Sequence, residues 1–215
     1  MHIIIKGMRT NFLDVYIYEE GFSYPETKIV EWREKYIYER SRRNSNILPR
    51  MDSLLVWRLL EVACRKSLGV ELNSLNPRRL ETKKPIIDYY HISLSHDRGF
   101  FMVVISSHPV GVDIQEERPS SHLKYNGKCW TEEERKLLSK NDIENFKYWT
   151  RKEALYKLID PGICFHNDME MNQINTADSK WANCFLDGEF NRYHWSIVSE
   201  LIKKGIKPNI DYWFN

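Results

Sequence analysis

Two segments of this chain carry carboxylates, a histidine and a lysine at spacings that suit chemistry on phosphates. In the first segment, Ser95 and His96 follow a short apolar run, and Asp113 lies in a later strand-like run. In the second, Glu153 and Lys157 are four residues apart, which is about one turn of a helix. Mg²⁺ prefers carboxylate oxygens as ligands, and cationic side chains bind phosphate oxygens. The sequence therefore indicates a site for a magnesium-bound phosphate.

The composition is that of a folded protein with little overall charge. The chain has 215 residues, of which 42% are hydrophobic and 29% charged, and its formal net charge is +2. This length suits one domain or two small ones, and the near-neutral charge argues against a nucleic-acid-binding protein. No apolar run approaches the ~20 residues that cross a membrane, and the four cysteines are scattered without a C-x-x-C pair. We therefore expect a cytoplasmic protein with reduced thiols.

Strands and one long apolar helix are predicted in each half of the chain. In the first half, we expect strands at 3–5, 12–18, 92–94 and 100–105, a turn at 97–99, a charged helix over 26–43, and a core helix from its N-cap Asp52 to Gly69. In the second half, we expect a strand at 110–114, a capping box at Thr131 with a helix to 140, a helix over 144–159 stopped by Asp160-Pro161-Gly162, and a hairpin with its turn at Asp187-Gly188. This pattern indicates two similar α+β lobes, although no internal sequence repeat is visible.

Asp113 and Gln115 should share one face of their strand with Gly111. Val112 and Ile114 would occupy the opposite, apolar face, because side chains alternate along a strand. One interpretation is an edge strand with a solvated polar face. The other is that Asp113 and Gln115 point into a cleft, where Gly111 allows close approach to the backbone.

Glu153 and Lys157 should share one helix face with Trp149. An ordinary exposed Glu–Lys pair of this kind contributes only about 0.3–0.5 kcal/mol. The residues Ala154, Leu155, Leu158 and Ile159 form an apolar side next to the pair. A partly buried pair beside an aromatic ring would suit a metal ligand with a cation nearby.

Ser95, His96 and Lys84 have both a functional and an ordinary interpretation. A strand that runs into small hydroxyl residues, a histidine and a glycine-containing turn is typical of a phosphate contact. Lys84 is followed by the rigid Pro85 and could add a cation. The alternatives are a hydrogen-bonded structural histidine and a loop lysine in water.

The order of these motifs resembles the 4′-phosphopantetheinyl transferases of the surfactin-synthetase type. The motifs are Lys84-Pro85, then Ser93 to His96, then Gly111 to Ile114, then Trp149-Thr150-Arg151-Lys152-Glu153-Ala154-Leu155-Tyr156-Lys157. The resemblance implies an α+β protein of two pseudo-symmetric lobes, each a small antiparallel sheet packed on a long helix. On this basis the lobes would span residues 1–108 and 109–215, and the chain would be a monomer.

The resemblance also implies an activity and roles for individual residues. Such enzymes transfer the 4′-phosphopantetheine arm of coenzyme A to a serine of an apo carrier protein and release adenosine 3′,5′-bisphosphate. By position, Asp113 and Glu153 would bind Mg²⁺, and Lys157 would be the general base or orient the attacking serine. Contacts with coenzyme A would come from Lys84, Pro85, Ser95, His96 and Arg50, although the spacing of Arg50 is off by one residue.

Gln115 is a departure from the family pattern. Many members have a glutamate at this position, and a glutamine offers a neutral oxygen to the same metal. We therefore keep Gln115 as the third candidate ligand and expect weaker or more hydrated magnesium.

Two other functions are compatible with parts of the sequence. A non-catalytic module that binds coenzyme A or a carrier domain is suggested by Gln115, and a nucleic-acid-binding protein by the basic stretch from Arg33 to Arg50. Carrier proteins usually expose an acidic helix, and Lys124, Lys128 and Trp130 are candidates for the face that receives it, or else ordinary loop residues. The sequence does not identify the carrier.

Overall fold

Two sheets and two long helices make up most of the described structure. The computed structural model describes residues 9–19, 48–79, 84–118, 130, 136, 142–159 and 179–213. The first sheet has the order β4-β5-β1-β9 and consists of β1 (Leu13–Glu19), β4 (His91–Asp97), β5 (Phe100–Ser106) and β9 (Asn209–Trp213). The second sheet has the order β6-β8-β7 and consists of β6 (Gly111–Glu116), β7 (Phe185–Phe190) and β8 (Tyr193–Val198).

The helices differ greatly in length. The two long ones are α1 (Leu48–Leu68), with 21 residues, and α2 (Asp142–Ile159), with 18. The smaller elements are α3 (Glu200–Lys203), a 3₁₀ turn (Leu72–Leu75) and a short hairpin of β2 (Arg78–Arg79) and β3 (Pro85–Ile86). Within the described ranges, every helix is too short or too polar to span a lipid bilayer.

The elements stack in four layers, in the order α1, first sheet, second sheet, α2. Strand β5 shows the arrangement, because it is buried throughout and is apolar up to its last residue, Ser106. Its residues Phe101, Val103 and Ile105 pack in the cluster that includes α1, whereas Met102 and Val104 pack with the second sheet. Helix α2 covers the other face of the second sheet.

Polar side chains of β4 connect the two sheets. Strand β6 lies at the edge of the second sheet, so its outward amides need partners from elsewhere. Three alternate side chains of β4 accept these amides. The pairs are Val112 N to Ser93 Oγ at 3.0 Å, Ile114 N to Ser95 Oγ at 3.2 Å and Glu116 N to Asp97 Oδ2 at 2.8 Å. We call this set the β4–β6 ladder.

The α+β class predicted from the sequence is confirmed. The pseudo-symmetry of two lobes stays a prediction, and so does the division of the chain at residue 108. The first sheet is not purely antiparallel, because β9 pairs with β1 in parallel. The last described strand of the chain therefore belongs to the sheet formed by its first half.

Most predicted elements have their expected positions, but the predicted N-cap and the predicted hairpin turn were wrong. The helix expected at 144–159 is α2, and the turn expected at 97–99 joins β4 to β5. Asp52 is not an N-cap, because α1 already begins at Leu48. The hairpin turns at Asn191 and Arg192, where Asn191 has a φ of 52°, and Asp187 and Gly188 lie within β7.

Several predictions fall outside the described residues. These are the strand at 3–5, the helix over 26–43, the capping box and helix at 131–140 apart from residue 136, the stop at 160–162, and the carrier contacts at Lys124 and Lys128.

Candidate functional site

Asp113 lies on the face of β6 that α2 covers. Its strand neighbours Val112 and Ile114 enter the apolar layer between the sheets, as the alternation predicted. Asp113 itself is 1% exposed. A carboxylate this deeply buried requires partners for its oxygens, because an unpaired buried charge is very costly.

Gly111 allows the backbone of α2 to touch β6 two residues before Asp113. A Cβ atom at Gly111 would lie 1.9 Å from Ala154 O and 2.8 Å from Leu158 N. Any larger residue would therefore push the helix away. This close approach brings the helix face with Glu153 and Lys157 onto Asp113.

Lys157 and Ser95 both bind the same oxygen of Asp113. Lys157 Nζ donates to Asp113 Oδ1 at 2.8 Å and to Ser95 Oγ at 3.0 Å, and Ser95 Oγ donates to Asp113 Oδ1 at 2.7 Å. Ser95 Oγ also accepts the amide of Ile114. One donated and two accepted bonds fill the capacity of a hydroxyl. The predicted contact of Ser95 with coenzyme A would therefore require one of these bonds to break.

Glu153 is held close enough to Asp113 for their charges to interact. Burial, and after it the charge of Asp113, raise the pKa of Glu153 to about 7, although Lys157 opposes both effects. Because the charge of Asp113 disfavours ionisation of Glu153, a divalent cation between the two carboxylates would stabilise the site.

The donor set fits Mg²⁺ that keeps part of its water. Mg²⁺ is usually bound in proteins by one or two carboxylates together with water and substrate phosphates. In the part of the chain that the structure describes, no group of three or more His, Cys, Asp or Glu side chains could hold a metal ion. Gln115 donates its amide Nε2 to Asp113 Oδ2 at 3.1 Å, so here its nitrogen faces the aspartate. Asp113 and Glu153 are thus the fitting pair, and Gln115 as a ligand stays a prediction.

The residues predicted to contact coenzyme A lie in different places. His96 is exposed on the opposite face of β4 from Ser95, with its ring centroid 6.1 Å from that of Phe101. Lys84 Nζ donates to Leu158 O, near the end of α2, at 3.3 Å. Arg50 belongs to the first turn of α1. The structure therefore brings Ser95 to Asp113, Glu153 and Lys157 but places His96 on the other side of its strand.

Lys84 and Pro85 line an open pocket beside the beginning of β6. Its volume is about 380 Å³, and its walls come from residues 84–87, 89–92 and 110. Tyr89, with a φ of 69° and 67% exposure, stands at this pocket.

The sequence analysis missed a group of polar residues on the same side of the second sheet. Asp187 receives hydrogen bonds from Arg151 and Ser196, and Thr150 bonds to Ser196. The Asp187-Gly188 pair is typical of a hairpin turn, so the sequence did not predict that both residues lie within β7. Trp130, a candidate for carrier contact, is 2% exposed and packs against Trp149 with ring centroids 5.2 Å apart. This burial favours the other interpretation, in which Trp130 has no role in carrier contact.

Comparison with known proteins bears on the segment that contains Asp113, Glu153 and Lys157. Residues 109–208 match the family model of the 4′-phosphopantetheinyl transferase superfamily. Over this segment, the match confirms the superfamily that the motifs resemble. A 4′-phosphopantetheinyl transferase named gsp, from Aneurinibacillus migulanus, is 32% identical over 114 residues, which are 48% of this chain and 47% of that protein. The chain thus spans about half the length of this curated relative.

Proposed function

We propose that this protein transfers the 4′-phosphopantetheine arm of coenzyme A to a serine of an apo carrier protein. The observation that supports this most directly is the convergence of Asp113, Glu153 and Lys157 inside the segment that matches the superfamily. In the proposed reaction, the serine oxygen bonds to the pantetheine-side phosphorus of the pyrophosphate. The bond from that phosphorus to the rest of the nucleotide breaks, and adenosine 3′,5′-bisphosphate leaves.

Asp113 and Glu153 would hold the Mg²⁺ ion, whose chemistry there is to neutralise the charge of the pyrophosphate. The repulsion between the two carboxylates supports this assignment, because a cation would relieve it. The superfamily supports coenzyme A and a carrier protein as partners.

Lys157 is assigned an orienting and electrostatic role. Its nitrogen donates to Asp113 Oδ1 at 2.8 Å and to Ser95 Oγ at 3.0 Å, so it is held beside the carboxylate assigned to the metal. In this role Lys157 attracts the phosphate oxygens, and Glu153 or a water molecule accepts the serine proton.

A non-catalytic module that binds coenzyme A is the second candidate function. Gln115 favours it, because its amide donates to Asp113 Oδ2 at 3.1 Å and adds no carboxylate to the site. This module would retain the pocket at Lys84 but would never add mass to a carrier.

The test is mass spectrometry of a panel of apo carriers after incubation with coenzyme A and Mg²⁺. We expect the wild-type chain to add one phosphopantetheine arm to at least one carrier. Asp113→Asn should lower the rate by about 10²–10³-fold, because it removes charge stabilisation at the phosphate. The exposed Glu144→Gln on α2 is the control for loss of a carboxylate and should leave the rate unchanged.

Transfer by Asp113→Asn at nearly the wild-type rate would refute the assignment of the site. Stabilisation of the wild-type chain by coenzyme A, with no arm added to any carrier of the panel, would favour the binding module.

A further inference from the structure

Three polar side chains form a row across the second sheet, beneath α2. Ser196 of β8 is the register partner of both Asp113 of β6 and Asp187 of β7. Register partners on one face of a sheet have adjacent side chains. The carboxylate assigned to the metal and the carboxylate of Asp187 therefore flank the same serine.

Asp187 is bonded to the helix as well as to the sheet. Its oxygens accept Arg151 Nε at 2.9 and 3.1 Å and Ser196 Oγ at 2.7 Å. Thr150 and Ser196 share a hydrogen bond of 2.8 Å between their hydroxyls, and both residues are fully buried. Arg151 and Thr150 belong to α2, so this network fastens the helix to β7 and β8.

The network lies on one side of Glu153 along the helix, and a second contact lies on the other. Thr150 and Arg151 precede Glu153 by less than one turn. Ala154 follows it directly, and its carbonyl meets Gly111 on β6. Two contacts with different strands fix both the rotation of a helix about its axis and its shift along the sheet.

We propose that Asp187 is a positioning residue that holds Glu153 against Asp113 by fastening α2 to the second sheet. It acts through Arg151, Ser196 and Thr150. The inference rests on the proposed function, in which Asp113 and Glu153 bind one ion. The two carboxylates repel each other, and the Asp187 network supplies an attachment that keeps the helix from turning Glu153 away.

The experiment measures metal affinity and turnover separately. Mn²⁺ serves as the probe, and its binding to the full chain with coenzyme A present is followed by electron paramagnetic resonance. The variants are Asp187→Asn, which keeps the shape but removes the charge, and Arg151→Gln, which breaks the same contact from the helix. We expect each variant to weaken Mn²⁺ binding by about tenfold, which is the lower end of the effect of groups that orient metal ligands. The Mg²⁺ concentration needed for half-maximal transfer should rise by the same factor.

Asp211→Asn is the matched control. Asp211 of β9 accepts Lys66 of α1 at 2.8 Å, so it fastens the other long helix to the other sheet. All proteins are compared at a temperature at which circular dichroism shows them folded, so that loss of fold does not enter the comparison. The control should bind Mn²⁺ as the wild type does.

The outcomes separate this inference from the proposed function. If both variants are folded and bind Mn²⁺ with wild-type affinity, Asp187 does not position the pair and the inference is overturned. If the wild type binds no Mn²⁺, there is no pair to position, and the inference is equally overturned. If Mn²⁺ binding weakens as expected but no carrier is modified by the wild type, the positioning role is supported and the proposed function fails.

Discussion

Asp113 attracts Lys157 and repels Glu153. Lys157 donates to Asp113 at 2.8 Å, whereas the charge of Asp113 raises the pKa of Glu153. Two ionised carboxylates and one ammonium leave one negative charge in a largely buried site. Such a site costs stability unless a cation enters it, so the same residues that would bind the metal should weaken the protein without it.

Glu153→Gln should therefore stabilise the protein at alkaline pH. The pKa of Glu153 in the folded protein is about 7, above its ordinary value of 4.5. A raised carboxyl pKa contributes stability that is fully present below 4.5 and is lost as the pH rises through 7. At pH 8 without divalent cations, we expect Glu153→Gln to raise the free energy of unfolding by about 1–2 kcal/mol, less than full conversion of the shift because Glu153 keeps some contact with water. At pH 4 the two proteins should be equally stable.

Urea denaturation at pH 4, 6 and 8 measures this difference. The control is Glu144→Gln, which removes an exposed carboxylate from the same helix. If Glu153→Gln and the wild type have the same free energy of unfolding at all three pH values, ionised Glu153 does not destabilise the folded protein.

For individual residues, the sequence predicted the direction of a side chain better than it predicted the partner of that side chain. Strand alternation and helical spacing placed Asp113, Glu153 and Lys157 correctly on facing surfaces. Ser95 was expected to meet a phosphate, yet its hydroxyl is used by Asp113, Lys157 and an amide of β6. That outcome depends on which strand lies beside β4, and the local sequence of β4 contains no information about it.

Strand β6 is the element on which the site depends. Its apolar side chains enter the layer between the sheets, its outward amides join the β4–β6 ladder, and its other face meets α2. The separation of helix and strand at Gly111 sets the distance at which the helix presents Glu153.

Gly111→Ala should consequently damage the site more than the fold. The added methyl would collide with the backbone of α2 at Ala154, so the helix must move away from Asp113. We expect a loss of about 1–3 kcal/mol in the free energy of unfolding, typical of overpacking, together with a severe loss of transfer activity. Thermal denaturation and the transfer assay measure the two effects.

Gly188→Ala provides the comparison on the same sheet. Its methyl would meet the ring of Trp195 at 2.0 Å, on the face turned to the first sheet. It should cost similar stability while leaving metal dependence near normal. Equal loss of metal affinity in both variants would mean that any disturbance of this sheet disrupts the site.

Gly188 also shows why a local sequence pattern can predict the wrong secondary structure. An Asp-Gly pair between strand-like runs is a strong hairpin signal, because glycine accepts the positive φ of a tight turn. Here the glycine instead makes room for Trp195, and Asp187 binds Arg151. The helix α2 was predictable because its apolar spacing is local, whereas the space beside a strand depends on residues far away in the chain.

The two sheets depend on each other across the whole molecule. They share one apolar layer, the β4–β6 ladder joins their edges, and β9 returns from the end of the described chain to pair with β1. Pairing of β9 with β1 was not predictable, since no local signal connects strands almost two hundred residues apart.

The segment that matches the superfamily should therefore not fold alone. A fragment of residues 109–215 contains Asp113, Glu153 and Lys157, but it would expose the face of the second sheet formed by Val112, Ile114, Tyr193, Trp195 and Ile197. Three amides of β6 would also lose their partners on β4. We expect this fragment to show no sharp thermal transition by circular dichroism and no binding of Mn²⁺.

Mixing this fragment with a separate fragment of residues 1–108 tests the same argument in reverse. The contacts between the halves are non-covalent, so the mixture should regain a cooperative transition and, with coenzyme A present, Mn²⁺ binding. A fragment of residues 109–215 that melts sharply and binds Mn²⁺ by itself would show that the first sheet is dispensable for the site. In that case residues 109–215 would be a unit that folds alone, and the layer between the sheets would be its interface with the rest of the chain.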